Sequence, residues 1–116
     1  MISKTRVELL QGTLDLLILR TLQFGPSHGH AIAKHIQRTS AETLQVETGS
    51  LYPALHRLEA QGWIDASWEI SDKGKRAKYY RLTPAGKKQL ASEQSRWAKL
   101  SRAMAMVLDP TPQESQ

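Results

Sequence analysis

The sequence contains no cysteine among its 116 residues. The lack of thiols excludes a disulfide scaffold, a thiolate metal site and a cysteine nucleophile, and it is typical of a protein from a reducing compartment. No apolar run approaches the roughly 20 residues that a membrane-spanning helix needs. The polar N-terminal stretch also lacks the cleavage site of a secretory signal, so we expect a cytoplasmic protein.

Residue patterns for catalysis and for metal binding are lacking as well. No glycine-rich phosphate loop, nucleophile elbow or paired carboxylates occur in a suitable context. His28 and His30 are spaced wrongly for one helical face, and His35 lies on an apolar face, where packing or a buried hydrogen bond explains it better. We therefore expect no enzyme activity, no metal site and no cofactor.

Positive charge is abundant and unevenly distributed. Sixteen Lys and Arg stand against 11 Asp and Glu, which gives a net charge of +5. The segment from Ser71 to Lys88 holds seven of the basic residues and one acid, Asp72. A small basic domain favours a polyanionic partner, although ribosomal and membrane-surface proteins share this property.

The first half of the chain predicts two helices. Leucines at helical spacing indicate a first helix from Leu9 to Phe24, which Gly25-Pro26 terminates. This helix is apolar on most sides, so we expect it to contact a partner subunit as well as its own core. A second helix follows over Ser27 to Arg38 with Ser27 as its cap, and Leu44 to Val46 alternates like a short strand.

A third amphipathic helix is predicted to end at Gly62, the expected C′ residue. Its N-cap candidates are Thr48, Gly49 and Ser50. Its inward positions are Leu51, Leu55 and Leu58. Tyr52, Pro53, His56 and Arg57 then lie on other faces, where Arg57 or His56 can reach base edges and the polar groups can donate to phosphates. The simpler interpretation is that these are ordinary surface residues.

A basic hairpin follows the third helix directly. Trp63 to Ile70 alternates as a strand with Trp68 on the face of Ile64 and Ala66, and Ala77 to Leu82 returns after a turn. Lys73, Lys75 and Arg76 at the tip are suited to the phosphate backbone or the minor groove, unless they form only a solvated loop. A helix followed at once by a basic hairpin predicts a winged helix, an α+β fold that is mainly α.

The last helix is predicted from Pro84 to Leu108, with Thr83 as its cap. Its apolar residues form an interrupted heptad pattern: Leu90, Trp97 and Met104 in one series, Leu100 and Val107 in the other, with Glu93 in the missing place. A small domain cannot cover so long a stripe, so we expect a homodimer. Trp97, Glu93 and Leu100 are candidates for a site that binds a small aromatic effector, although Trp97 also fits as a gap filler between helices.

Four stretches occur in this order: LLQGTLDLLILRTL, GPSHGHAIAKHI, VETGSLYPALHRLEAQGWI and AKYYRLTPAG. Together they resemble the PadR family of bacterial transcriptional regulators, over nearly the whole chain from Leu9 to Leu108. The single C-terminal helix is similar to the short PadR subfamily. His30 departs from the resemblance, since the family more often has Tyr there.

The resemblance implies a winged helix-turn-helix whose third helix enters the major groove. It implies a homodimer joined largely through the last helix, a palindromic operator in double-stranded DNA, and repression relieved by phenolic or drug-like molecules. The residues expected to face DNA are Ser50, Tyr52, Pro53, His56, Arg57, Lys73, Lys75, Arg76 and Lys78.

Three segments are expected: a DNA-binding domain over 1–83, a dimerisation helix over 84–108 and a disordered tail over 109–116. The leading hypothesis is a dimeric DNA-binding regulator, and a repressor in particular. The main alternative is a winged-helix protein–protein adaptor that never binds nucleic acid, against which the concentrated charge of Ser71 to Lys88 argues. A steep loss of duplex binding with salt distinguishes the two.

Overall fold

A computed structural model describes residues 11–109. The element order is α1 (Gln11–Leu22), β1 (Ser27–His28), α2 (Gly29–Thr39), α3 (Thr48–Ala60), β2 (Ile64–Ile70), β3 (Arg76–Leu82) and α4 (Pro84–Leu108). The predicted mainly-α winged helix-turn-helix with a long last helix is confirmed. The predicted start of the first helix at Leu9 and the predicted tail beyond Asp109 lie outside the described residues. No described helix has the length and apolarity that crossing a membrane requires.

Within the described residues, one apolar core joins the four helices to the sheet. α1 contributes Leu14, Ile18, Leu19 and Leu22, and α2 contributes Ile32 and Ile36. The remaining large members are Leu51, Leu55, Leu58, Ile64, Tyr80 and Leu90. As the sequence predicted, α1 is apolar on most sides, and its Leu16 and Leu17 remain only half-buried against this core.

The start of the second helix differs from the prediction. Ser27 does not cap it, because Ser27 and His28 form a short strand that pairs with Tyr80 and Tyr79 of β3. His28 is the N-cap instead: its extended backbone lets the imidazole Nδ1 accept a hydrogen bond from the Ala31 N–H at 3.2 Å. The sheet therefore has three antiparallel strands in the order β1-β3-β2, and not only the two of the predicted hairpin.

The third helix also begins differently, while its end is as predicted. Glu47 occupies the N-cap position without a side-chain hydrogen bond, so the predicted cap candidates lie inside the first turn of α3. At the other end Gly62 adopts a positive φ of 79°. Its N–H donates to the Glu59 carbonyl, and the Trp63 N–H donates to the Leu58 carbonyl, a Schellman closure. The strand expected at Leu44 to Val46 is reduced to an isolated bridge at Leu44.

The hairpin and the last helix are joined through Thr83. The Thr83 N–H donates to the Trp63 carbonyl at 3.1 Å, and the Thr83 hydroxyl donates to the Gly62 carbonyl at 2.7 Å. The same hydroxyl accepts from the Gly86 N–H at 3.0 Å, which makes Thr83 the N-cap of α4, as predicted. Thr83 thus ties the start of α4 to the turn that ends α3.

Gly86 provides a stability test of this junction. A Cβ at position 86 would fall well inside van der Waals distance of the Trp63 carbonyl oxygen, which is backbone and has little freedom to move. We expect Gly86→Ala to destabilise the fold by about 1–3 kcal/mol. The matched control is Gly49→Ala in α3, where a Cβ meets nothing within 4 Å. That change should be neutral or stabilise by up to about 1 kcal/mol. Urea unfolding followed by circular dichroism measures both, and equal stability of the two variants would contradict the close approach at Gly86.

Candidate nucleic-acid interface

The orientation of α3 is fixed by one buried face. Leu51, Ala54, Leu55 and Leu58 are at most 3% exposed. Their spacing of three and four residues places them along a single stripe of the helix. The other faces therefore present Ser50, Tyr52, Pro53 and His56, which are all exposed. The structure thus exposes these four predicted site residues together on the outer surface of α3.

Tyr52 links α3 to the beginning of α2. An added Cβ at Gly29 would lie 2.6 Å from the Tyr52 hydroxyl oxygen, so the phenol rests against the backbone of the first turn of α2. Glycine at position 29 is what permits this approach. Tyr52 nevertheless remains 40% exposed.

The hairpin forms a wing with an exposed basic tip. Ser71 closes the turn, since its N–H donates to the Lys75 carbonyl at 2.7 Å and its hydroxyl accepts from the Lys75 N–H at 3.2 Å. Lys73, Lys75 and Arg76 are exposed. The Arg76 guanidinium lies 4.8 Å from the centroid of the Trp68 ring. This cation–π contact directs the arginine of β3 towards β2.

Trp68 lies on the strand face that was predicted, but this face is not buried throughout. Ile64 is enclosed and Ala66 is half-buried, whereas Trp68 is 58% exposed. The exposure of this face therefore rises towards the tip of the wing. An indole and a guanidinium therefore lie together at the surface.

Two of the predicted site residues are engaged by carboxylates of neighbouring elements. Arg57 Nη2 lies 2.8 Å from Asp15 Oδ1 of α1. Lys78 Nζ lies 3.8 Å from Glu59 Oε1 of α3, and 5.6 Å from the centroid of the Tyr80 ring. These contacts favour a different function for Arg57 from the base contact predicted from the sequence, because its guanidinium already has a partner.

A cleft of about 490 Å³ separates α3 and the start of α2 from the wing. Its lining residues are His28, Gly29, His30, Tyr52, His56, Trp68, Ser71, Lys75, Arg76, Ala77, Lys78 and Tyr80. The lining combines three imidazoles, two phenols and three basic side chains. It contains no Asp or Glu, so it is suited to a polyanion such as a sugar–phosphate backbone.

Sequence reasoning did not place His28 and His30 in this cleft. It weighed both as metal ligands and noted His30 as a departure from the family resemblance. Residues 11–109 contain no group of three His, Asp or Glu side chains arranged to hold a metal ion. Their rings instead stack on each other, with centroids 6.5 Å apart and planes 9° apart. Pairing of Ser27 and His28 with β3 brings them there, and no local sequence pattern indicates that pairing.

Tyr80 forms the floor of the cleft and is 2% exposed. Burial raises the pKa of its phenol, and the charge of nearby Glu59 and then Tyr52 acts in the same direction. The phenol therefore stays neutral throughout the physiological pH range. Tyr80 acts in packing rather than in charge recognition.

The predicted effector residues do not line the cleft, and they lie on α4. Trp97 is 49% exposed and Leu100 is 52% exposed. The Glu93 carboxylate accepts hydrogen bonds from Gln89 at 2.7 Å and Arg96 at 3.2 Å. Leu90, predicted as part of the same heptad stripe, is 1% exposed within the domain core, so the exposed stripe begins beyond it.

Comparisons with known proteins agree with this geometry. The model of the PadR-like transcriptional regulator family matches residues 18–92. A transcriptional regulator of Mycobacterium tuberculosis is 32% identical over 95 residues, which cover 82% of this chain and 85% of that protein.

Solved structures give the same result. A PadR family transcriptional regulator from Eggerthella lenta superposes with a TM-score of 0.73 at 31% identity, covering 87% of this chain and 86% of that one. A PadR family regulator from Clostridium difficile superposes with a TM-score of 0.72 at 30% identity, covering 82% of this chain and 97% of that one. The winged helix and the outer surface of α3 agree with the family model that matches this sequence. The chain therefore belongs to the PadR-like family of transcriptional regulators.

Proposed function

We propose that this regulator is a homodimeric repressor that binds a palindromic DNA operator through α3 and the wing. The observation that carries the proposal is the cleft, whose lining includes Tyr52 and His56 of α3 and three basic residues of the wing but no acidic residue. Glu59, which pairs with Lys78, is not among the lining residues. A protein–protein adaptor has no need for such a lining, so the geometry favours nucleic acid over that alternative.

In this proposal α3 lies in the major groove and the wing follows the flanking backbone. Ser50, Tyr52 and His56 donate hydrogen bonds to phosphates or base edges, and Pro53 packs against the DNA surface. Lys73, Lys75 and Arg76 contact phosphates, or the minor groove at the wing tip. Lys78, which is paired with Glu59, lies at the inner edge of the same surface.

The wing contribution is tested by the triple variant Lys73→Ala, Lys75→Ala and Arg76→Ala. Binding should weaken similarly for all duplex sequences, because phosphate contacts carry no base information. The slope of log affinity against log salt should flatten by about 0.9 for each lost contact. Fluorescence anisotropy of a labelled duplex across a salt series measures both quantities.

A charge-matched control is Lys87→Ala, Lys88→Ala and Lys99→Ala on α4, which removes three exposed cations that do not line the cleft. We expect it to retain most of the wild-type salt slope. Equal effects of the two triple variants would show that net charge, and not the wing, determines binding.

The homodimer is proposed from the exposed stripe of α4. Trp97, Leu100, Met104 and Val107 are 49–78% exposed, at heptad spacing. Pairing α4 with its copy about a two-fold axis would bury this stripe. The two copies of α3 would then face DNA about 34–36 Å apart, or a multiple of that spacing.

The interface is tested by the double variant Leu100→Lys and Met104→Lys. Light scattering should shift from a dimer to the 13.0 kDa monomer, because paired ammonium groups cannot be buried without a large desolvation cost. Leu90 is unsuitable for this test, since its replacement would disrupt the domain core. Ser95→Lys, exposed and off the stripe, is the control that should stay dimeric. A wild-type monomer at micromolar concentration would contradict the proposal.

A small aromatic effector is proposed to bind between the two copies of Trp97. Two indoles, the Leu100 side chains and the Glu93 carboxylates would then line one opening at the dimer axis, which suits planar cationic or phenolic molecules. Such a ligand would regulate by favouring one spacing of the two α3 helices over another.

The effector site is tested on a variant that retains only Trp97, made by Trp63→Phe and Trp68→Phe. Titration with a panel of planar aromatics should quench its fluorescence, because a stacked ligand contacts the indole directly. Trp97→Leu should bind the same compounds at least tenfold more weakly, about 1.4 kcal/mol. Absence of quenching by every compound would leave Trp97 as a packing residue.

A further inference from the structure

Asp15 and Arg57 form an ion pair between α1 and α3. The Arg57 Nη2–Asp15 Oδ1 distance is 2.8 Å, and the side chains are 36% and 22% exposed. Arg57 Nε is enclosed and has no hydrogen-bond partner within residues 11–109. The Arg57 side chain is thus held by the Asp15 carboxylate at Nη2 and by packing around Nε.

A second ion pair lies on the opposite flank of α3. Glu59 follows Arg57 by two positions, which places the two side chains about 200° apart around a helix of 3.6 residues per turn. Glu59 Oε1 lies 3.8 Å from Lys78 Nζ of β3. One flank of α3 is therefore held by α1 and the other by the wing. The buried stripe of α3 packs against the core between these two flanks.

We propose that Arg57 is a positioning residue: the buried stripe decides which face of α3 points outward, and the ion pair with Asp15 limits the remaining tilt of the helix against α1, so that α3 is held in the orientation that meets DNA. Asp15, an acid on α1 that does not line the cleft, then supports DNA affinity through Arg57. This inference rests on the proposed DNA-binding function. α1 packs against both α3 and α4, so the pair also joins α3 to the element that contacts the proposed dimer helix.

The size of the effect is limited by the pair itself. An ion pair can favour one orientation of α3 by no more than its own free energy. For a partly exposed, hydrogen-bonded pair this limits the change in DNA affinity to about two- to tenfold. Fold stability should change little, because neither side chain is deeply buried.

Asp15→Ala tests the inference through the direction in which DNA affinity changes. Removing an acid raises the net charge, so electrostatics alone predicts tighter DNA binding. Positioning predicts the reverse, a two- to tenfold weaker affinity at about 100 mM salt. The control is Glu69→Ala, which breaks an ion pair of 3.1 Å between Glu69 and Arg81 that does not touch α3. This control should bind as tightly as wild type or more tightly.

Arg57→Ala separates positioning from direct contact. If Arg57 contacts a phosphate, its removal reduces the salt slope by about 1. If it acts through Asp15, the affinity falls while the salt slope stays at the wild-type value. The double variant, Asp15→Ala with Arg57→Ala, should then bind DNA no more weakly than Arg57→Ala alone, because both changes remove the same interaction.

All variants are compared as full chains by anisotropy with one labelled duplex, and circular dichroism checks their folding. Should either alanine variant unfold, Asp15→Asn and Arg57→Gln replace it with the same expected signs, because each removes one charge of the pair. Wild-type protein that binds no duplex would overturn the proposed function, and this inference with it. Wild-type binding together with unchanged or tighter binding by Asp15→Ala would overturn only the inference.

Discussion

The burial of one stripe of α3 determines what the rest of the molecule can do. Leu51, Ala54, Leu55 and Leu58 are enclosed by α1, α2 and the sheet, so the helix cannot roll without exposing apolar surface. The residues that α3 exposes to a partner follow from that constraint, and the ion pairs on its two flanks act within it. The Schellman turn at Gly62 then directs the chain straight into β2, which places the wing beside the exposed residues of α3.

The cleft between α3 and the wing is a consequence of three different kinds of contact. Strand pairing brings His28 to the sheet, the missing side chain of Gly29 lets Tyr52 approach α2, and the Arg76–Trp68 contact fixes the wing wall. The first two contacts join residues that are far apart in the sequence, and the third joins the two strands of one hairpin. Together they make a surface lined by hydrogen-bond donors and cations, which suits the backbone of a nucleic acid. Such a surface agrees with membership of a family of transcriptional regulators.

The sequence predicted well those features that depend on local patterns. The buried leucines of α3, the glycine at its end and the Thr83 cap follow from residues a few positions apart. The missed features are non-local: the strand at Ser27–His28, the ion pair of Asp15 with Arg57 across 42 positions, and the burial of Leu90 in the domain core. Trp68 was placed on the correct face, but alternation alone does not show where the covering helices end.

The central claim, that DNA binds across α3 and the wing with its backbone at the cleft, is tested most directly through the three tryptophans. Their indole N–H signals in an NMR spectrum report on separate regions: Trp68 on the cleft, Trp97 on α4, and Trp63 on the junction that ends α3. We predict that adding a short duplex at low salt shifts the Trp68 signal strongly and leaves the Trp97 signal nearly unchanged. A duplex that shifts Trp97 and leaves Trp68 unchanged would contradict the account.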